Sequence, residues 1–335
     1  MSADQIPLPP RLDVQQIREA QQSIRDHLHW TPLIHSTTLS REFGVDIHLK
    51  MESLQKTGSF KPRGAFNKLL SMSADELAAG VVGVSGGNHA QGLAYAATSL
   101  GVKATICMPV TTPSNYVDAT LGYGAEIVFA DDIHGAFAQA RDLQSQGRVL
   151  VHPFDDPHVA AGQGTLGLEI LHDLPGLTRI YVSIGGGGLI AGIATALKSA
   201  NPDIRLIGVE TRGADAMARS IAAKRIVELP EITSIARTLG APQVSPMTFD
   251  HVLRLVDEVV VVEDAEAIDA MMFLLERTKV LVEPAASCCL AAARRQQGDL
   301  DERDQVVLLM CGGNVSVADL SRWSQLPVSE ELPVN

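Results

Sequence analysis

The sequence predicts an α/β protein made of two open parallel-sheet units, with a ligand site between them. Three observations predict it. Short apolar segments alternate with helix-patterned ones from residue 81 to residue 152. The alternation begins again after Gly162-Gln163-Gly164 and continues to residue 310. In each half a glycine-rich turn joins a strand to the next helix: Ser85-Gly86-Gly87-Asn88-His89 in the first and Gly185-Gly186-Gly187-Gly188 in the second. Apolar strands separated by helices are covered on both faces and pair in parallel. Ligands of such sheets collect outside the carboxyl ends of the strands.

The elements follow in order. The first ten residues read as a loose arm. Asp13 caps a helix expected to reach about residue 29, because Val14, Ile17, Ile24 and Leu28 share a face. Asp46-Ile47-His48-Leu49-Lys50-Met51 reads as a strand. Ser59 is the expected cap of a helix in which Pro62 takes an early position. Val81-Val82-Gly83-Val84 is a buried strand, followed by a helix over 89–100. Strands at 103–108, 126–129 and 149–152 continue the first half, with helices between them. In the second half a helix runs through 166–171 and meets the strand at 179–184. A helix over 189–200 leads to the strand at 205–209, and strands at 258–262 and 305–310 complete the set. There is no internal repeat or low-complexity linker, and no appended regulatory domain is expected beyond about residue 330.

Composition removes several functions. A net charge of -12 argues against nucleic acid, whose binding is dominated by phosphate neutralisation. No apolar run approaches the ~18 residues of a membrane span. The start of the chain has no apolar signal core. Cys107, Cys288, Cys289 and Cys311 form no Cys-x-x-Cys pair, so reduced thiols and a cytoplasmic location are expected. The ten histidines show no zinc-like spacing.

Four places can carry chemistry. Gly185, Gly186, Gly187 and Gly188 follow a strand and precede an uncharged helix. Their backbone N–H groups can converge on a phosphate, helped by the helix dipole. A ligand-free strand–helix crossing is the alternative. At the first turn, Ser85 and Asn88 stand beside free amides, a setting for a substrate carboxylate; equally, Asn88 caps the helix. Lys61 is either a solvated lysine or the amine of a Schiff base, which an aldehyde cofactor with a phosphate cup would need. Cys311 follows the last strand and is either a small buried thiol or a partner of a cofactor ring. Cys288 and Cys289 read as core, and Glu210 with Asp215 is a weak cation signal.

As an ordered set these segments resemble the fold type II pyridoxal-phosphate enzymes, the tryptophan synthase beta-like fold. Within it they resemble the serine/threonine dehydratase group, which includes serine racemase. The set is Thr31-Pro32-Leu33, Ser59 through Ala65, Ser85 through Gln91, Ala161 through Thr165, the four glycines, Val282-Glu283-Pro284 and Cys311-Gly312-Gly313-Asn314. The resemblance implies a large cofactor-binding domain (1–55 and 158–330) and a small substrate-binding domain (56–157). It implies pyridoxal 5'-phosphate held by Lys61, with Phe60 at the ring and Asn88 at the ring hydroxyl. Gly185 to Gly188 and the Leu189 amide would bind its phosphate, with Glu283 and Cys311 beside the ring. Ser85, Gly86, Asn88 and His89 would hold the substrate carboxylate, and Lys61 would move the Cα proton. The implied reaction is α,β-elimination of a β-hydroxy amino acid, threonine or serine, to a 2-oxo acid and ammonia, in a homodimer or homotetramer.

The sequence also departs from the group. Gly86 replaces the second serine of serine racemase and gives no proton-transferring group on that side; it also leaves room beside the substrate. The group's acidic cation site is left open here at Glu210 and the Ala214 carbonyl, because its last position is Ala216. The usual Thr-Ile-Ala-Asp-Gly reads Ser234-Ile235-Ala236-Arg237-Thr238. Other readings therefore stand beside the leading one: a phenylserine or threo-3-hydroxyaspartate dehydratase, a serine racemase, a β-replacement enzyme, and a non-catalytic amino-acid-binding module. If Lys61 lies exposed and far from the glycine loop, the catalytic reading collapses and the last remains.

Overall fold

A computed structural model of the chain describes residues 11–325. The arm over 1–10 and the boundary near 330 lie outside the described residues. Two sheets are present. The larger is built from Leu33–His35 (β1), Asp46–Met51 (β2), Arg179–Ser183 (β7), Arg205–Thr211 (β8), Glu258–Val262 (β9) and Gln305–Met310 (β10). The smaller contains Val81–Val84 (β3), Ala104–Pro109 (β4), Glu126–Ala130 (β5) and Val149–Leu150 (β6). Their orders are β1-β2-β10-β7-β8-β9 and β5-β4-β3-β6.

Every neighbouring pair is parallel except β1 with β2. That edge pair is the one antiparallel contact among the described strands of the two parallel-sheet units. The link from His35 to Asp46 carries only a short helix, Thr37–Phe43, and is shorter than the dozen or so residues that a parallel crossover needs, so β2 returns antiparallel to β1. Burial follows position in the sheet. Central β7 and β3 are buried throughout, whereas edge β5 is half-exposed. Their apolar runs face helices on both sides, which is why the sequence lacks strict alternation there.

Three local expectations are corrected. The first helix is capped by Asp13 in a reciprocal box with Gln16, but it ends at Ile24. Beyond it His27 stacks on Phe66 with ring centroids 4.7 Å apart, and this tertiary contact overrides helical continuation. Ser59 is buried yet caps nothing; Phe60 is the N-cap of the Lys61–Leu70 helix, with no side-chain bond. Gly162-Gln163-Gly164 does not separate the two halves. It lies inside the Pro157–Asp173 helix. A Cβ on Gly162 would meet the Arg63 carbonyl oxygen at 2.5 Å, and one on Gly164 would meet the Gly192 carbonyl oxygen at 2.8 Å. These glycines let three helices touch backbone to backbone. Gln163 completes the contact by accepting the Gly64 N–H at 3.1 Å.

Candidate active site

The carboxyl ends of β7 and β10 open into a cavity. It is lined by Lys61, Phe60, Asn88, Gly185 to Gly188, Leu189, Glu283 and Cys311, all expected from the sequence. Lys61 and the glycine loop therefore share one cavity, as the catalytic reading requires. Phe154, Ser183, Thr238, Leu239 and Ala285 also line it. Of these, the sequence signalled only Thr238, as an unusual residue. Phe154 and Leu239 arrive from loops with no local pattern to mark them.

Lys61 opens its helix and is partly buried. Its Nζ donates to the Pro153 carbonyl at 3.0 Å and stands 5.1 Å from the Phe60 ring centroid. Burial pushes its pKa down to about 8, against the opposing pull of Cys311 and Glu283. A lysine near that value has a large neutral fraction at ordinary pH and can act as nucleophile or base. The Asn88–Ser99 helix comes close because of Gly92, where a Cβ would stand 2.9 Å from Lys61 Cβ.

The glycine turn forms a cup that tolerates no side chains. A Cβ on Gly186 would fall 2.1 Å from the Phe154 ring, and one on Gly185 would lie 3.1 Å from the Leu239 carbonyl oxygen. Gly187 also has φ +92°, a conformation that L residues with side chains rarely adopt. The Gly188–Ala200 helix starts directly behind it, with its first amides lacking intrahelical acceptors.

On the other side, Asn88 Nδ2 donates to Glu283 Oε1 at 2.8 Å, and Asn314 Nδ2 donates to Asn88 Oδ1 at 2.8 Å. Thr238 Oγ1 donates to the same Glu283 oxygen at 3.0 Å. Asn88 is thus no cap; Gly87 holds that position. Glu283 Oε2 is buried without a partner. Burial pushes the Glu283 carboxyl up to about 7, against the bonds from Thr238 and Asn88. Cys311 Sγ accepts from Ser183 Oγ at 3.3 Å, and burial drives its pKa well upward, so the thiol stays neutral.

The Ser85 turn is only partly as expected. Ser85 Oγ accepts the Gly87 N–H at 3.0 Å. His89 points elsewhere: its Nε2 donates to the Val151 carbonyl at 2.9 Å. Burial, aided by the nearby Lys61 charge, pushes His89 down to about 3, so the ring is neutral. Only its backbone belongs to the turn. The space beside Gly86 is not open either, because a Cβ there would meet Thr112 Oγ1 at 2.6 Å.

The cation set does not fit together. Both Glu210 oxygens accept amides at the start of the Ala216–Ala223 helix, from Met217 at 2.9 Å and Ala218 at 2.8 Å. Asp215 is paired with Arg219 at 3.0 Å. Ala214 offers only its carbonyl. Among the described residues no group of three or more His, Cys, Asp or Glu is placed to hold a metal ion.

Two parallel sheets, with a lysine facing a side-chain-free glycine cup between them, define a class of cofactor-dependent α/β enzymes. The chain belongs to the pyridoxal-phosphate dependent enzyme family, whose sequence profile matches residues 24–312. It is a fold type II member of the threonine dehydratase and serine racemase group. It is 45% identical over 310 residues to an L-threonine ammonia-lyase of Geobacter sulfurreducens, covering 91% of this chain and 76% of that one. A serine racemase of rice is 39% identical over 320 residues, with 94% of each chain covered. Among solved structures, maize serine racemase superposes with a TM-score of 0.89 at 37% identity, covering 93% of this chain and 97% of that one. The residues fit pyridoxal phosphate, for the cup admits an anion where side chains would collide and the lysine amine lines the same cavity. No helix among the described residues is long and apolar enough to cross a membrane.

Proposed function

We propose that the protein is a pyridoxal-phosphate-dependent ammonia-lyase that converts L-threonine or L-serine to a 2-oxo acid and ammonia by α,β-elimination. The observation that carries this reading is the Lys61 amine, partly buried and lowered to about 8, on one cavity with the glycine cup and a neutral Cys311 thiol. When bound, the cofactor supplies an electron sink for charge that develops at the substrate Cα. The amides at Gly185 to Gly188 and Leu189 hold its phosphate, Asn88 and Glu283 its polar edge, and Phe60 its ring. Lys61 Nζ holds the cofactor and, when free and neutral, takes the Cα proton. Cys311 is a weak hydrogen-bond donor, which favours prompt loss of the β-hydroxyl over long-lived charge storage.

Ser85 and the Gly86, Asn88 and His89 amides hold the substrate carboxylate. Residues 1–55 and 158–330 act as the cofactor-binding domain and 56–157 as the substrate-binding domain, in a cytoplasmic homodimer or homotetramer. Names of relatives support the reading, since L-threonine ammonia-lyases and catabolic L-threonine dehydratases are among them. The test is a screen of L- and D-serine, the threonine diastereomers, phenylserine and hydroxyaspartate for oxo acid and ammonia. Release without added thiol is expected and rejects obligatory β-replacement; holoenzyme that releases none from any of them rejects the lyase.

A second reading, serine racemase, is favoured by the Thr112 hydroxyl, which stands beside the turn position that Gly86 leaves without a side-chain group. Chiral analysis of serine recovered during turnover separates the two activities.

A further inference from the structure

A second cavity adjoins the first, and among the described residues only Thr238 and Glu283 line both. Thr238 Oγ1 donates to Glu283 Oε1 at 3.0 Å, so the two side chains meet as one partition. A threonine carries two γ atoms on one Cβ and is stiff about its first side-chain torsion. The bond to Glu283 fixes one γ position and thereby the other. The Thr238 methyl faces the substrate turn, with Cγ2 3.3 Å from where a Cβ on Gly87 would stand.

The segment that carries Thr238 is fastened. Asp264 accepts from Ser234 Oγ at 2.6 Å and from the Ile235 amide at 2.9 Å. The Arg237–Leu239 turn closes through the Leu239 and Gly240 amides, which donate to the Ala236 and Arg237 carbonyls. The partition is therefore held by bonded backbone and is not a loop tip. Beyond it the second cavity presents flat and apolar surfaces from Pro113, Tyr116, Val315 and Trp323. Its charged groups, Arg237, Asp319 and Glu283, are of both signs and single out no ionic ligand.

Resting on the lyase reading above, we propose that Thr238 is the residue that sets the size limit on the substrate side chain. The groups that serine and threonine carry on Cβ stop short of the partition. A β-aryl group would have to pass through it into the second cavity, and the Thr238 methyl blocks the way.

The test compares wild-type, Thr238→Ala and Thr238→Val holoenzymes. Alanine removes both γ atoms, whereas valine keeps their volume and removes only the hydroxyl. The quantity read is the ratio of kcat/KM for threo-phenylserine to kcat/KM for L-serine. Opening the partition should raise this ratio roughly tenfold or more in Thr238→Ala, while Thr238→Val should stay within about twofold of the wild type. L-Phenylalanine and L-alanine, which have no β-hydroxyl to lose, are the second pair of probes. The thermal stabilisation given by L-phenylalanine relative to L-alanine should grow in Thr238→Ala and not in Thr238→Val. An unchanged ratio in Thr238→Ala, or a wild type that turns over phenylserine as readily as serine, would overturn the assignment. An equal rise in Thr238→Val would also overturn it, because the bond to Glu283 and not the bulk of the side chain would then set the limit. If no amino acid yields oxo acid, the lyase reading fails, and the thermal comparison alone then decides the role of Thr238.

Discussion

Lys61 and Arg63 are two residues apart on one helix, yet their surroundings are opposite. Arg63 is buried and saturated. It bonds Glu52 at 2.7 and 2.9 Å, Glu169 at 2.6 and 3.1 Å and Thr165 at 3.1 Å. Lys50 joins the cluster at 2.8 Å from Glu169 and donates to the Thr31 carbonyl. Burial opposes the Arg63 charge, but Glu52 and Glu169 outweigh it and hold the guanidinium above its usual range. Lys61 has no carboxylate bonded to it, only a carbonyl, and its pKa falls. One cluster fixes helix to sheet through paired charges. The other leaves its groups under-satisfied and therefore reactive, the pattern expected where chemistry occurs.

The comparison can be broken at four points. Lys61→Ala should abolish the visible absorption of lysine-bound cofactor near ~410–430 nm. It should lower oxo-acid release by ~10²–10⁴-fold or more, without lowering the melting temperature of the cofactor-free protein. A large loss of stability would show that Lys61 is structural after all. Arg63→Met should do the reverse. It leaves the buried Glu52 carboxylate without a cation and Glu169 with Lys50 alone, and should cost about 3–5 kcal/mol in urea unfolding; a change below about 1 kcal/mol would mean that the cluster fixes nothing.

Gly186→Ala tests the cup. Its methyl would displace the Phe154 ring, and cofactor affinity should fall about tenfold, a difference of about 1.4 kcal/mol by equilibrium dialysis. The smallest effect concerns Glu283. Its folded pKa is raised from 4.5 to about 7, so its contribution to stability is full below 4.5 and is lost as pH rises through about 7. The melting temperature of the cofactor-free protein should therefore decline across that window, and Glu283→Gln should flatten the decline. An identical slope in the variant would assign it to another group.

Much of this contrast was legible in the sequence, because its carriers are local. Apolar runs marked β3, β7 and β10, and the turns at their ends placed Asn88 and the four glycines. Lys61 was legible only through the company of those turns. The saturation of Arg63 was not, since its partners stand at positions 52, 165 and 169 and meet it only after helix packing. Gly162 and Gly164 misled for a related reason. A glycine that ends a helix and one that lets helices touch look alike until the neighbour is known. The direction of His89 and the occupant of the space by Gly86 were likewise set by Val151 and Thr112, which no local pattern links to the turn.

The most direct test of the contrast is the pH dependence of cofactor capture. Only a neutral amine attacks the aldehyde, so the capture rate reports the free fraction of Lys61. Mixing cofactor-free protein with pyridoxal phosphate across a pH series should give a rate that rises with a midpoint at about 8. A midpoint near the ordinary lysine value of 10.5 would contradict the account, because Lys61 would then be as well solvated as any surface lysine.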